Sequence, residues 1–135
     1  MIELTFSKPK SLNALIDEAR GSLALAARSK EKATKKAALE CREQSQAKLI
    51  TPVYLVAEVT YSTETSDIDN LDACLKPILD GLVKCQFLKD DNIKSIYPFK
   101  YSFYTKTKRS NQYVTLRFFF DKPSFFEFIQ ANLLS

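Results

Sequence analysis

The chain has 135 residues, 45% of them apolar and ten of them Phe, which is enough for one domain with a real core. Its net charge of +4 permits an anionic partner without requiring one. With no His and only two Gly, it has no means for His-based acid–base catalysis, Ser-His or Cys-His triads, or Gly-rich phosphate loops, and a zinc-hydrolase site is disfavoured.

No apolar run reaches the roughly 18 residues needed to span a bilayer, and the N-terminus lacks the pattern of a secretory signal. Cys41, Cys74 and Cys85 form no CxxC pair and read as buried thiols in a reducing compartment. The expected location is the cytoplasm.

Residues 2–6 alternate Ile2, Leu4 and Phe6 with Glu3 and Thr5, the pattern of a half-buried strand. Residues 7–13 read as a loop containing Pro9, and 23–27 as an apolar patch. A helix is expected from an N-cap at Ser29 to about Lys48. Its first half carries Lys30, Lys32, Lys35 and Lys36, either a solvated face or a phosphate-facing one. Pro52 precedes VYLVAEVTY, residues 53–61, rich in β-branched and aromatic side chains and expected as a central strand. After a polar connection, Asp67-Ile68-Asp69-Asn70-Leu71 opens an amphipathic segment running to about Val83.

Residues 93–104 place Ile93, Tyr97, Phe99, Tyr101 and Phe103 on one face of a strand. A turn over 105–111 leads to a second strand, 113–120, with Val114, Leu116, Phe118 and Phe120 on one face, and the two are expected to pair as a hairpin. Pro123 breaks the pattern. A short helix follows, with Phe125, Phe128, Ile129 and Leu133 as a core or dimer stripe. The order β-α-β-α-β-β-α predicts one α+β domain spanning 1–135, with a mixed four-stranded sheet, two main helices and a short C-terminal helix.

The chemistry concentrates in the acids. In an extended segment Asp67 and Asp69 point the same way, and two adjacent carboxylates require compensation. Mg²⁺, which takes one or two carboxylates plus water and phosphate oxygens, is the natural candidate. The bland alternative makes Asp69 or Asn70 a helix N-cap.

The segment 67–91, DIDNLDACLKPILDGLVKCQFLKDD, resembles the RusA family of Holliday-junction resolvases. The matching pieces are D-x-D-N-L (67–71), K-x-x-x-D-x-L (Lys76, Asp80, Leu82) and the Asp90-Asp91 pair followed by an apolar strand. Pro9-Lys-Ser-Leu-Asn13 is a weaker echo. The resemblance covers roughly Phe6 to Phe120 and leaves out the terminal helix. It implies a Mg²⁺-dependent endodeoxyribonuclease (Mn²⁺ as substitute) that hydrolyses phosphodiesters of four-way junctions. Asp67, Asp69 and Asp91 would be the metal-binding catalytic acids, Lys76 the basic residue near the scissile phosphate and Asp90 a secondary acid. With no His present, a metal-activated water is the expected nucleophile. Asp72-Ala73-Cys74 departs from the family as a three-residue insertion between Asp69 and Lys76. On a helix that would shift the Lys by about 4.5 Å, at 1.5 Å per residue. Alternatively the helix starts near Leu75 and the insertion is a loop.

Two symmetric cuts imply a C2 homodimer, with the strand 113–120 and the terminal helix as candidate contacts. The stretch after Asp91 carries Lys94, Lys100, Lys106, Lys108, Arg109 and Arg117 with no acid before Asp121. Lys100, Lys106, Lys108 and Arg109 are the candidate DNA-binding residues, with Tyr101, Tyr104 and Tyr113 available to stack on bases. A phage or prophage origin is an expectation from the resemblance. Three rival readings stand beside it: a branched-DNA-binding module with weakened catalysis, a related nuclease of forks, flaps or RNA, and an interaction protein whose Asp cluster only caps a helix.

Overall fold

The computed structural model describes residues 1–10, 12–62, 72–92 and 94–134. Its elements are β1 (Ile2–Ser7), α1 (Leu12–Gly21), α2 (Leu23–Gln44), β2 (Tyr54–Tyr61), α3 (Leu75–Lys84), β3 (Tyr101–Lys106), β4 (Tyr113–Phe119) and α4 (Lys122–Leu134), with a 3-10 turn at Arg109–Asn111. The four strands form one sheet in the order β1-β4-β2-β3. β4 runs antiparallel to both β1 and β2, and β3 runs parallel to β2. The chain is thus one small α+β domain with a mixed four-stranded sheet, as the pattern order implies.

Alternation sorts the sheet residues to two faces. Leu4, Phe6, Leu55, Ala57, Leu116 and Phe118 meet Ala37 and Cys41 of α2 and Leu75, Ile78 and Leu82 of α3. On the opposite face Val56 and Phe119 pack against Phe125 of α4, flanked by Tyr54, Tyr101, Phe103, Phe128 and Ile129. The doubly apolar run of β2 is therefore covered on both sides, which explains its interior place. Phe118 and Phe125 are fully buried core residues, whereas Phe99, Phe126, Leu133 and Leu134 are exposed.

The expected hairpin does not form. β3 and β4 are neighbours in sequence, but β2 lies between them in the sheet. Burial decides the order: β4 buries Val114, Leu116, Phe118 and Phe119, while every residue of β3 keeps some exposure. β3 therefore takes an edge. The turn passes over the end of β2, where the Thr107 amide donates to the Tyr61 carbonyl at 2.7 Å. β3 is also shorter than expected. Ile96 makes only one bridge, to Val53, and Pro98, which lacks an N–H, precedes the start of the ladder at Tyr101.

The second helix begins earlier than expected. Ser22, not Ser29, is its N-cap, its Oγ accepting from the Leu25 amide at 3.1 Å. Residues 12–13, expected as loop, open α1. Pro123 lies in the first turn of α4, where its missing N–H costs nothing, and Asp121 accepts from the Ser124 amide and hydroxyl.

α3 begins at Leu75, so Asp72-Ala73-Cys74 precedes it rather than extending it, and Pro77 falls in its first turn. It ends in a Schellman arrangement: the Gln86 amide donates to the Val83 carbonyl at 3.0 Å and the Phe87 amide to Leu82 at 3.0 Å. Gln86 occupies the left-handed position with φ 64°, where Gly is favoured. Gln86→Gly is expected to raise stability by about 0.5–1 kcal/mol, read as a higher urea midpoint at unchanged m. A lowered midpoint would show that the Gln side chain matters more than the backbone strain. The motif delivers Phe87 and Leu88 into the core and fixes where the following acidic loop starts.

All three cysteines are free. Burial, with Cys85 close by, pushes the Cys41 thiol up to about 12, and burial pushes Cys74 up to about 11. Among the described residues no helix is long and apolar enough to cross a membrane.

Candidate active site

Lys76 and Asp80 are four residues apart on α3 and so share a face. Lys76 Nζ lies 3.0 Å from Asp80 Oδ1. The loop after α3 returns to the same point and brings Asp91 Oδ2 to 2.9 Å from Lys76 Nζ. That loop is pinned at both ends. Arg42 donates to the Cys85 carbonyl, and the Leu49 amide donates to the Phe87 carbonyl at 2.8 Å. Beyond the acids, the Asp90 amide donates to Ser95 Oγ at 3.0 Å, and the Ser95 and Ile96 amides donate to the Asn92 carbonyl. Asp91 is therefore presented by a fixed turn.

Two carboxylates thus converge on one ammonium. The hydrogen bond from Lys76 holds the Asp91 carboxyl below its ordinary range. Hydrogen bonds to Asp91 and Asp80 raise Lys76 above its own. Lys76 and Asp91 are therefore both charged at neutral pH. The Asp80 and Asp91 side chains are 39% and 32% exposed, so water and a ligand can reach them. Hard oxygen donors already gathered around one cation fit the donor chemistry of Mg²⁺. Among the described residues no three acidic or thiol side chains gather closely enough to hold a metal. Asp67, Asp69 and Asn70 lie outside the described residues.

No family model matches the chain. Nor does any curated protein match it in sequence.

The other candidate residues fall in different places. Asp72 accepts from the Tyr104 hydroxyl at 2.8 Å, which ties the turn before α3 to β3. Tyr101 accepts from Asn132 Nδ2 at 3.0 Å and stacks near Phe103, so it belongs to the α4 packing. Of the three tyrosines, Tyr113 is the one 39% exposed. Arg117 is bound into the sheet between Glu3 at 2.9 Å and Glu58 at 3.0 Å, with its guanidinium 5.1 Å from the Phe128 ring centroid. Its charge is consumed internally. Lys100, Lys106, Lys108 and Arg109 are all exposed. Lys100 precedes β3, whereas Lys106 ends it and Lys108 and Arg109 lie beyond. At about 3.3 Å per residue, the strand separates Lys100 from the rest by roughly 20 Å. These four cations do not form one compact patch.

One assembly was only half visible in the sequence. Lys8 and Lys10 of the 7–10 loop and Lys30, Lys32 and Lys36 of α2 border the same cleft as Lys76 and Asp80, whereas Lys35 pairs with Glu31. The Pro9-Lys echo and the Lys cluster were each legible, but their meeting requires the β1–α2 packing.

Proposed function

We propose that the chain is a divalent-metal-dependent, structure-selective endodeoxyribonuclease of the RusA-like kind, hydrolysing phosphodiesters at four-way DNA junctions. The observation that carries this reading is the convergence of Lys76, Asp80 and Asp91. Two motif fragments, the Lys-x-x-x-Asp of α3 and the Asp90-Asp91 pair, share one ion cluster through Lys76 despite the Asp72-Ala73-Cys74 insertion.

In this reading Asp67, Asp69 and Asp91 would hold Mg²⁺, or Mn²⁺ in its place. When bound, the ion supplies charge neutralisation at the phosphate and acidifies a water. Lys76, released from its acids, donates from Nζ to a non-bridging phosphate oxygen and opposes the negative charge that grows in the transition state. Asp80 orients Lys76 through the i,i+4 contact. Asp90 stands beside the ligand as a secondary acid. Lys100, Lys106, Lys108 and Arg109 would contact flanking phosphates of branched DNA at two separate places. A C2 homodimer would supply two sites for two symmetric cuts. The cytoplasm, and a phage or prophage source, suit such an enzyme.

The test is a synthetic four-way junction incubated beside a fork and a linear duplex. Paired nicks in the junction with Mg²⁺, none with excess EDTA, and little cutting of duplex are expected. Equal cutting in EDTA, or no cutting with either Mg²⁺ or Mn²⁺, would sink the proposal.

A further inference from the structure

A cleft of about 480 Å³ lies between the 7–10 loop, α2 and α3. Its loop wall is fixed, because the Ser7 amide and hydroxyl donate to Glu40 Oε2 at 3.0 and 2.9 Å. Lys10 pairs with Glu18 and ties the loop to α1. Six lysines and two acids line the cleft, a local excess of four positive charges. The cleft rim therefore concentrates positive charge, and the low-dielectric walls focus its field. Lys8, Lys30, Lys32 and Lys36 form no ion pair among the described residues. They contrast with Lys10 and Lys76, which do. The floor is apolar, built from Pro9, Ala33, Pro77 and Ile78.

A cationic rim over an apolar floor suits a ligand that alternates anionic groups with flat, apolar-faced ones. The volume matches pockets for small organic molecules, roughly 300–1,000 Å³, and is too small for a duplex. One wall carries Lys76 and Asp80. We infer that this cleft binds a short single-stranded stretch of DNA, phosphates on Lys30 and Lys36 and sugar or base faces on the floor, and feeds it toward the Lys76–Asp80–Asp91 cluster. The inference rests on the nuclease reading and narrows its substrate to branched DNA with an unpaired or splayed strand.

The experiment uses the full chain and a fluorescent twelve-residue oligothymidylate, followed by anisotropy in EDTA so that no cleavage intervenes. Lys30→Glu with Lys36→Glu is expected to weaken binding at least about tenfold and to flatten the log–log salt slope by about 1–2, since each phosphate contact contributes roughly 0.7 on single strands. Lys48→Glu with Lys122→Glu changes the net charge equally outside the cleft and is expected to cost less than about threefold. Ala33→Phe leaves charge alone and fills the floor; it too is expected to weaken binding at least threefold. Circular dichroism checks that each variant is folded. Equal losses in the two charge-reversed pairs would overturn the cleft, leaving only a general charge effect. So would wild-type binding by the folded Ala33→Phe variant. The nuclease reading fails separately: a wild-type chain that binds the oligonucleotide through the cleft but cuts no junction keeps the cleft and loses the nuclease.

Discussion

Asp91→Asn should cut junction cleavage by on the order of a hundredfold or more, because an amide keeps the shape of the carboxylate and loses the charge that binds a hard cation. A hundredfold corresponds to about 2.7 kcal/mol of transition-state stabilisation. Stability should hardly change, since the Lys76–Asp91 pair is solvent-exposed and such pairs contribute little. Lys76→Met separates two roles of the same residue. It removes the ammonium that competes for Asp80 and Asp91, so Mn²⁺ should bind more tightly. It also removes a donor to the phosphate, so the rate at saturating metal should fall. Tighter metal binding with slower cleavage is the signature, and a drop in both would show that Lys76 merely holds the loop. The acid limb has a definite sign. Asp91 titrates below the ordinary 3.8 in the folded chain. Its small contribution to stability is therefore complete above about pH 4 and is lost as pH falls through the folded value. Lys76 is raised above 10.5, so its contribution is complete below that value and is lost only in stronger alkali. The wild-type and Lys76→Met unfolding curves should keep a constant, small offset between those limits.

How far such features can be foreseen depends on the range of the forces that set them. β1, β2 and β4 were legible because alternation and β-branched runs are local consequences of the pleat. The placement of α3 after the Asp72-Ala73-Cys74 turn was one of two readings, and Pro77 favoured it because Pro is tolerated in a first turn. The expected β3–β4 hairpin fails for a long-range reason. Whether a strand pairs with its sequence neighbour depends on which arrangement buries more apolar surface, and β2, apolar on both faces with helices packed on each, takes the interior place between β4 and β3. Ser29 failed as a cap because it lies inside a longer helix, half-buried at the cleft within 3.4 Å of Lys10 Nζ. In the candidate site, the Lys76–Asp80 pairing follows from i,i+4 spacing alone. Asp91's arrival at Lys76 does not, since it depends on the left-handed turn at Gln86 and the burial of Phe87. Neutralisation of Arg117 by Glu3 and Glu58 was likewise invisible, because those acids lie on other strands. A run of cations in sequence is not a patch in space.

Gly81→Ala should destabilise the domain by about 1–3 kcal/mol, although Ala is ordinarily the better helix former by about 1 kcal/mol. The helix gain loses because there is no room. A Cβ at Gly81 would lie 2.7 Å from Ala37 Cβ, 2.8 Å from the Ala38 amide nitrogen and 2.8 Å from the Thr34 carbonyl oxygen. Two of those three obstacles are backbone, so no side-chain rotation relieves them, and α2 and α3 must part. Thermal unfolding should shift down by roughly 3–10 °C for a domain of this size. Adding Ala37→Gly removes only the methyl contact and should recover part of the loss, not all. Full recovery would mean that the helix backbones are farther apart than the 2.8 Å contacts state. Gly81→Val should be worse than Ala, since the branch adds volume where the first carbon already clashes. The effect should extend to the cleft. α2 carries Lys30 and Lys36, α3 carries Lys76 and Asp80, and Gly81, next to Asp80, packs tightly against α2. Parting the helices widens the gap between the strand-binding rim and the acidic cluster. At a temperature where Gly81→Ala is still folded, junction cleavage should fall further than oligonucleotide binding, because a flexible lysine rim can still grip a phosphate that is no longer aligned with Asp91.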